Sequence, residues 1–232
     1  MEIFTTQYIL KALLQLGVMW FSLSLHEFGH AFTADKLGDP TPRLLGRLTV
    51  IPFAHMDLIG TVLIPILRYV IPGWSNFLIG WAKPVPISPV NFRHPRRDEM
   101  LVSIAGPGAN IVLMAFFTAV LWVGDRAGWF ASTEGMTPQF LNLAGYFVIL
   151  NFCLALFNLI PIPPLDGHWI LKSILPGKWS YHYSRFAPYG IYLVLLLMVL
   201  GWLDKILLPF YYLLFGAMDL MGLGEIWNRI RI

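Results

Sequence analysis

Charge is what this 232-residue chain has least of: Asp, Glu, Lys and Arg together make up 12% of it. A soluble domain carries about twice that share. Hydrophobic residues reach 57% and are gathered into long runs, so the chain reads as an all-α, multi-spanning membrane protein rather than a soluble one. The formal net charge of +3 sits in short loops between apolar runs. That pattern is the positive-inside bias of a membrane protein, and no nucleic-acid partner is expected. The single cysteine, Cys153, excludes an intrachain disulfide and any Cys-rich zinc site. Its setting, "VILNFCLALF", makes it a small packing residue. Glu2 precedes the first apolar run with no basic n-region, so no cleaved signal peptide is expected. There is no internal repeat, low-complexity tract or second soluble domain, and one membrane domain is expected over 1–232.

The apolar runs cover about 6–34, 56–71, 100–123, 140–160 and 188–203. A further run, 206–221, spans, re-enters or lies in the interface, so about five or six transmembrane helices are expected. Between the first two runs, "RLLGRLTVIPFAH" suggests a strand or loop near the active site. The stretch "WAKPVPISPVNFRHPRRDE" has proline at alternate positions, which precludes helix and predicts an extended or re-entrant loop at headgroup level. Basic residues follow the first run (Lys36, Arg43, Arg47), precede the third (Lys83, Arg93, Arg96, Arg97) and follow the fourth (Lys172, Lys178, Arg185). The loop between the third and fourth holds only Arg126. The basic loops should face the cytoplasm, so the chain between the first and third runs crosses an even number of times or re-enters.

The first run ends in "SLSLHEFGHAFTAD", which sets His26, Glu27 and His30 where a spanning helix would carry leucine. Positions i and i+4 share a helix face, so both imidazoles can reach one metal ion with Glu27 beside them. This is H-E-x-x-H, in which two His bind zinc and the Glu is general base toward water. Ionisable groups within a bilayer are costly enough to mark function. A catalytic zinc site typically has three protein ligands, and "NLIPIPPLDGHWIL" offers the third. Asp166 follows the fourth run on the side where the first delivers its histidines, past a helix broken by Pro161, Pro163 and Pro164. The alternative is that Asp166 caps the next short helix. Asn158, eight residues earlier, either reaches the same cavity or bonds carbonyls freed by the prolines. His55 and Asp57 either hold a ligand imidazole or mark the membrane boundary. His94 and His182 should be solvated, and His168 should cap a helix or face solvent. In "AGPGAN", Gly106 and Gly108 suit close helix approach, with Asn110 bonding across to the His-bearing helix.

HEFGH in an apolar helix, followed late in the chain by N-x-x-P-x-P-P-L-D-G, resembles the site-2 protease family of intramembrane zinc metalloproteases (peptidase M50). "GWAKPVPI", "HPRRDE" and "SIAGPGAN" resemble segments of its compact bacterial branch. The resemblance covers about 20–172, leaves the C-terminal helices (186–221) outside, and has no room for a PDZ or CBS domain. Ile51 and Leu58 depart from it, standing where Asn and Pro are expected. It implies one zinc per chain held by His26, His30 and Asp166, with Glu27 as catalytic base and Asn158 orienting substrate or stabilising an oxyanion. It also implies cleavage of a peptide bond in or near a transmembrane segment of a membrane-spanning substrate. The setting would be a bacterial inner membrane, with the active site toward the cytoplasm. Residues 44–55 would pair with the extended substrate. Two other classes compete: a catalytically silent client- or metal-binding protein, which would not need Glu27, and a metal or proton transporter. A transporter would need ionisable groups on further helices.

Overall fold

The computed structural model describes residues 5–70, 80–131 and 137–230. In chain order its helices are α1 (Thr6–Lys36), α2 (Thr41–Leu44), α3 (Ile64–Val70), α4 (Pro95–Arg126), α5 (Thr137–Asn158), α6 (Asp166–Ile174), α7 (Gly177–Arg185), α8 (Ala187–Val199), α9 (Trp202–Leu220) and α10 (Gly224–Arg229). No strand occurs among the described residues. Helix is the favoured backbone in lipid because every N–H and C=O finds its partner within the segment.

Three helices, α1, α4 and α5, are long and apolar enough to cross a membrane. Their ends are set by local chemistry. The Thr5 side chain accepts the N–H of Tyr8 to start α1, and Lys36 in the last turn complements the helix dipole. Pro95 opens α4, where Asp98 reaches back to the N–H of His94 at 3.0 Å. The three pack antiparallel in sequence order. Gly29 of α1 lies so close to α4 that a Cβ there would stand 2.6 Å from the Ala105 carbonyl oxygen. Small residues allow this approach, and in lipid close packing rather than hydrophobic exclusion holds helices together.

The C-terminal end of α1 and the N-terminal end of α4 therefore share one side, and the chain between them leaves and returns there. Of the strand or loop expected over 44–55, the structure has the loop, broken by short turns. Pro42 and Pro52 lie in short helical turns, α2 and a 3₁₀ turn (Pro52–Ala54), and proline favours such positions. The expected second span, 56–71, is a six-residue π-helical turn (Leu58–Leu63) running into seven-residue α3, and Ile71 lies outside the described residues. Such a segment reaches about 20 Å, short of the roughly 30 Å hydrocarbon core. The Asp57 side chain begins the turn by accepting the N–H groups of Ile59 and Gly60.

The stretch 80–88 has neither helix nor strand, as its prolines led one to expect. It is held on the π turn by Trp81 N–H to the Gly60 carbonyl (3.2 Å), the Thr61 hydroxyl to the Trp81 carbonyl (2.7 Å), and Lys83 N–H to the His55 carbonyl (2.8 Å). Its far end is anchored by fully buried Asp39, which accepts from the Ser88 N–H, the Thr41 N–H and hydroxyl, and the Asn91 amide. Burial alone would push this carboxyl up. The donors outweigh burial and hold it below the usual carboxylate range.

Beyond α5, residues 159–165 form a non-helical bridge to α6. At the C-terminal side α8 and α9 meet at 75° across Gly201, whose φ of +65° is the left-handed conformation that glycine tolerates. This bent pair counts as at most one further span, so the described residues hold three or four rather than five or six. The bend is the reason: neither 188–203 nor 206–221 continues straight into the other.

Candidate metal centre

His26 and His30 stand one turn apart on the face of α1 that packs against α4, and both are buried. Asp166 is the first residue of α6. Its carboxylate turns to the histidines instead of capping its helix: Oδ2 is 3.1 Å from His26 Nε2, and Oδ1 is 3.3 Å from His30 Nε2. The two Nε2 atoms are 3.1 Å apart. Ligand atoms about 2.0–2.1 Å from a tetrahedral zinc stand about 3.3–3.4 Å from one another, so the separations suit one ion. Among the described residues these three form the one such group, with their ligand atoms all within 4.8 Å of one another.

The hydrogen bonds behind the rings decide what the site can take. His30 Nδ1 lies 2.7 Å from the Val102 carbonyl oxygen, which only accepts, so Nδ1 carries the proton and Nε2 offers a lone pair. His26 Nδ1 is 2.6 Å from Asn110 Oδ1. Lone pairs and a carboxylate facing one another at about 3 Å repel unless a cation lies between them. Asp166 Oδ2, buried, has no hydrogen-bond partner within the protein. The donor set, two imidazoles and one carboxylate, fits zinc and leaves a fourth position for water or substrate.

Gly106 makes room for this arrangement. A Cβ there would meet His30 Nε2 at 2.3 Å and His26 Nε2 at 2.8 Å. The sequence suggested helix approach for Gly106 and did not foresee that the imidazoles themselves occupy the space. Gly167 plays the matching part on α6, where a Cβ would stand 2.3 Å from the Leu159 carbonyl oxygen.

The centre opens into a cavity of about 510 Å³, whose lining includes Glu27, Asn158, Trp81 and Val85. Glu27 accepts the N–H of Val85 at 3.0 Å, so the extended stretch holds the carboxylate from across the cavity. Asn158 lines the same space while its amide donates to the Leu154 carbonyl of its own helix at 2.9 Å. That carbonyl is one turn back in α5, not one freed by the prolines. All five residues singled out for the site thus border one cavity.

Others lie elsewhere. His55 is buried and donates from Nε2 to the Thr49 carbonyl at 2.8 Å, and Asp57 caps the π turn. Neither touches a ligand imidazole, because the crossover folds them onto itself. His168 is buried against Trp169 and Tyr183, not solvated, because the Tyr183 side chain closes over α6 and bonds the Pro161 carbonyl. Burial, then the nearby Lys172 ammonium, lowers its pKa. His94 and His182 are exposed as expected. Asn110 does bond across to α1, and Asn151, which supports it, was not anticipated. A polar residue amid "FVILNFCLALF" is the signal that would have found it. The backbone groups of Val85 and Val102 carry no such signal.

Comparison with known proteins agrees with this chemistry. The model of peptidase family M50 matches residues 14–201. YwhC of Bacillus subtilis, named as a zinc metalloprotease, is 36% identical over 184 residues, 78% of this chain and 78% of that protein. Rip2 of Mycolicibacterium smegmatis, likewise named, is 29% identical over 205 residues, 88% of this chain and 72% of its own length. A zinc metalloprotease of Methanocaldococcus jannaschii is 26% identical over 212 residues, 86% of this chain and 47% of that protein. No solved structure gives a significant match.

Proposed function

The chain belongs to peptidase family M50 and is a zinc-dependent peptidase, and on that premise we propose that it is an intramembrane endopeptidase cutting membrane-spanning proteins in or near their transmembrane segments. The observation that carries this reading is the convergence of His26, His30 and Asp166 beside Glu27, in a cavity between helices long enough to span the bilayer. In this reading His26, His30 and Asp166 hold one zinc per chain. Bound there, zinc supplies Lewis-acid chemistry, acidifying water toward neutral pH and polarising a carbonyl.

The remaining steps belong to the chain's own residues. Glu27 takes a proton from the attacking water and returns it to the leaving amine nitrogen as the peptide C–N bond breaks. The Val85 N–H holds its carboxylate aimed into the cavity. Asn158 presents its amide to the peptide or to the developing oxyanion. The substrate must unwind locally, because an intact helix hides its carbonyls. The wall 80–88 lines the cavity through Trp81, Ala82, Pro84, Val85 and Ile87 and would lie against the unwound substrate there.

Lys36, Arg43, Arg47, Arg96, Arg97 and Lys172 lie toward the metal end, against Lys11, Arg126 and Arg229 toward the other, an excess that supports a cytoplasm-facing site in a bacterial inner membrane. We read 1–232 as one domain, its motif-bearing core about 20–172 supported by the C-terminal helices over 186–221.

The test uses the full chain purified in detergent. About one zinc per chain and cleavage of a membrane-spanning test peptide are expected, with Glu27→Gln keeping zinc and losing cleavage. Folded, zinc-loaded protein that cuts nothing across a broad substrate panel would overturn the reading in favour of a silent client-binding protein.

A further inference from the structure

Behind His26 lies a chain of hydrogen bonds whose direction can be read from its far end. The Phe147 carbonyl on α5 can only accept, so the Asn151 atom 2.9 Å from it is the amide nitrogen. The same nitrogen lies 2.9 Å from the Ser22 hydroxyl. Asn151 Oδ1 must then face Asn110, and it accepts from the Asn110 nitrogen at 2.8 Å. A second backbone anchor agrees: the Asn110 nitrogen is 3.3 Å from the Ser22 carbonyl of α1. Asn110 therefore has only Oδ1 to offer His26 Nδ1, at 2.6 Å. Both asparagines are fully buried. Bulk solvent does not reach them, and reversing either amide would set oxygen against oxygen.

We propose that Asn110 and Asn151 are positioning residues that hold His26 in its Nδ1–H tautomer, readying its Nε2 lone pair for the metal before the metal arrives. The Val102 carbonyl does the same for His30 directly. The two ligands of α1 are thus oriented by different means, one by a backbone atom and one by a side-chain relay across three helices. The relay has a definite job. Without an acceptor at Nδ1, His26 would be free to carry its proton on Nε2 and donate it to Asp166 Oδ2, 3.1 Å away. The apo site would then satisfy itself and compete with the cation.

This inference rests on the metal-site reading, and its test separates the two. Zinc affinity of the full-length protein in detergent is measured by competition with a chelating indicator, and the visible spectrum of the cobalt-loaded protein reports ligand geometry. Asn110→Leu should bind zinc about 10–100-fold more weakly and shift the cobalt spectrum. Asn110→Gln, which keeps an amide oxygen for the Nδ1 proton and an amide nitrogen for Asn151, should recover part of that loss. Asn151→Leu, one link further away, should fall between them. Wild-type protein that takes up no zinc would sink the metal reading itself. Wild type that binds, with a folded Asn110→Leu equal to it in affinity and spectrum, would overturn the relay alone. If Asn110→Leu does not fold, nitrogen NMR of ¹⁵N-histidine-labelled, metal-free wild type decides. A protonated Nδ1 on His26 supports the relay, and a protonated Nε2 overturns it.

Discussion

Helix α4 joins two regions of opposite character. Near its start, around Val102, Gly106 and Asn110, it packs on buried polar groups: Ser22, His26 and His30 of α1 and Asn151 of α5. Near its other end, about 22 Å along the axis from Gly106, Leu121 packs with Phe130, Leu141, Ala144, Val148, Met218, Leu223 and Ile226 in a cluster of apolar side chains. The same helices thus build two kinds of interior. At the polar end each group has one admissible partner, so glycines and amide orientations are prescribed atom by atom. At the apolar end only volume must be filled, and dispersion is tolerant of which side chain fills it. Part of that cluster, Met218 to Ile226, lies beyond the residues matched by the family model. Chemistry should therefore fail at one end without the fold failing, and stability should fail at the other without the chemistry changing.

The sharpest break of this contrast is Glu27→Gln, which should cut peptide-cleavage rate about 10²–10⁴-fold while zinc per chain stays unchanged. Gly106→Ala comes next. A methyl group cannot share the space of His30 Nε2, 2.3 Å away, so zinc affinity should fall by about 100-fold or more, read by chelator competition. Val85→Pro removes the N–H that holds Glu27 and suits a stretch already flanked by prolines. Cleavage should slow about 10–100-fold with metal content unaltered, since a hydrogen bond to a charged group contributes about 1.5–3 kcal/mol.

The far end should answer differently. Met218→Ala should cost about 2–5 kcal/mol of stability, seen as a lower thermal unfolding midpoint in detergent. Its folded fraction should bind zinc like wild type. Loss of zinc from folded Met218→Ala would show that the two ends are coupled. The smallest effect is expected at Asp39, whose replacement by Ala should cost about 1–3 kcal/mol. Folding lowers this carboxyl's pKa. Its contribution is therefore fully present above the unfolded value of about 3.9 and fades as pH falls through the folded value. The gap between wild type and Asp39→Ala should close in strong acid.

The site's donors were legible because their signal is local. His26 and His30 share a face by i,i+4 spacing, and Pro161, Pro163 and Pro164 announce the break that releases Asp166. Asn110 was glimpsed because polar residues in apolar runs stand out. The supports were not legible. Val102 bonds His30 across 72 residues through a carbonyl that any residue type would supply, and Val85 bonds Glu27 across 58 through an N–H that any but proline would supply. The crossover misled for the same reason. Branched residues over 44–55 suggested a strand or loop, and the loop was the outcome. What misled was the apolar run 56–71, read as a span, which the Asp57 cap starts as a short π turn running into α3. His168 was read as capping a helix or facing solvent because Tyr183, which covers it, belongs to another helix.

What the sequence determined by itself was the class of solvent and the chemistry on offer: apolar runs demand lipid, and helical periodicity puts two imidazoles and a carboxylate on one face. Tertiary structure alone decided that α6 brings Asp166 to within 3.3 Å of both rings, and which nitrogen of each ring faces it. Periodicity is a property of neighbours a turn apart. Convergence and orientation depend on contacts between distant segments, whose geometry exists only once the helices are packed.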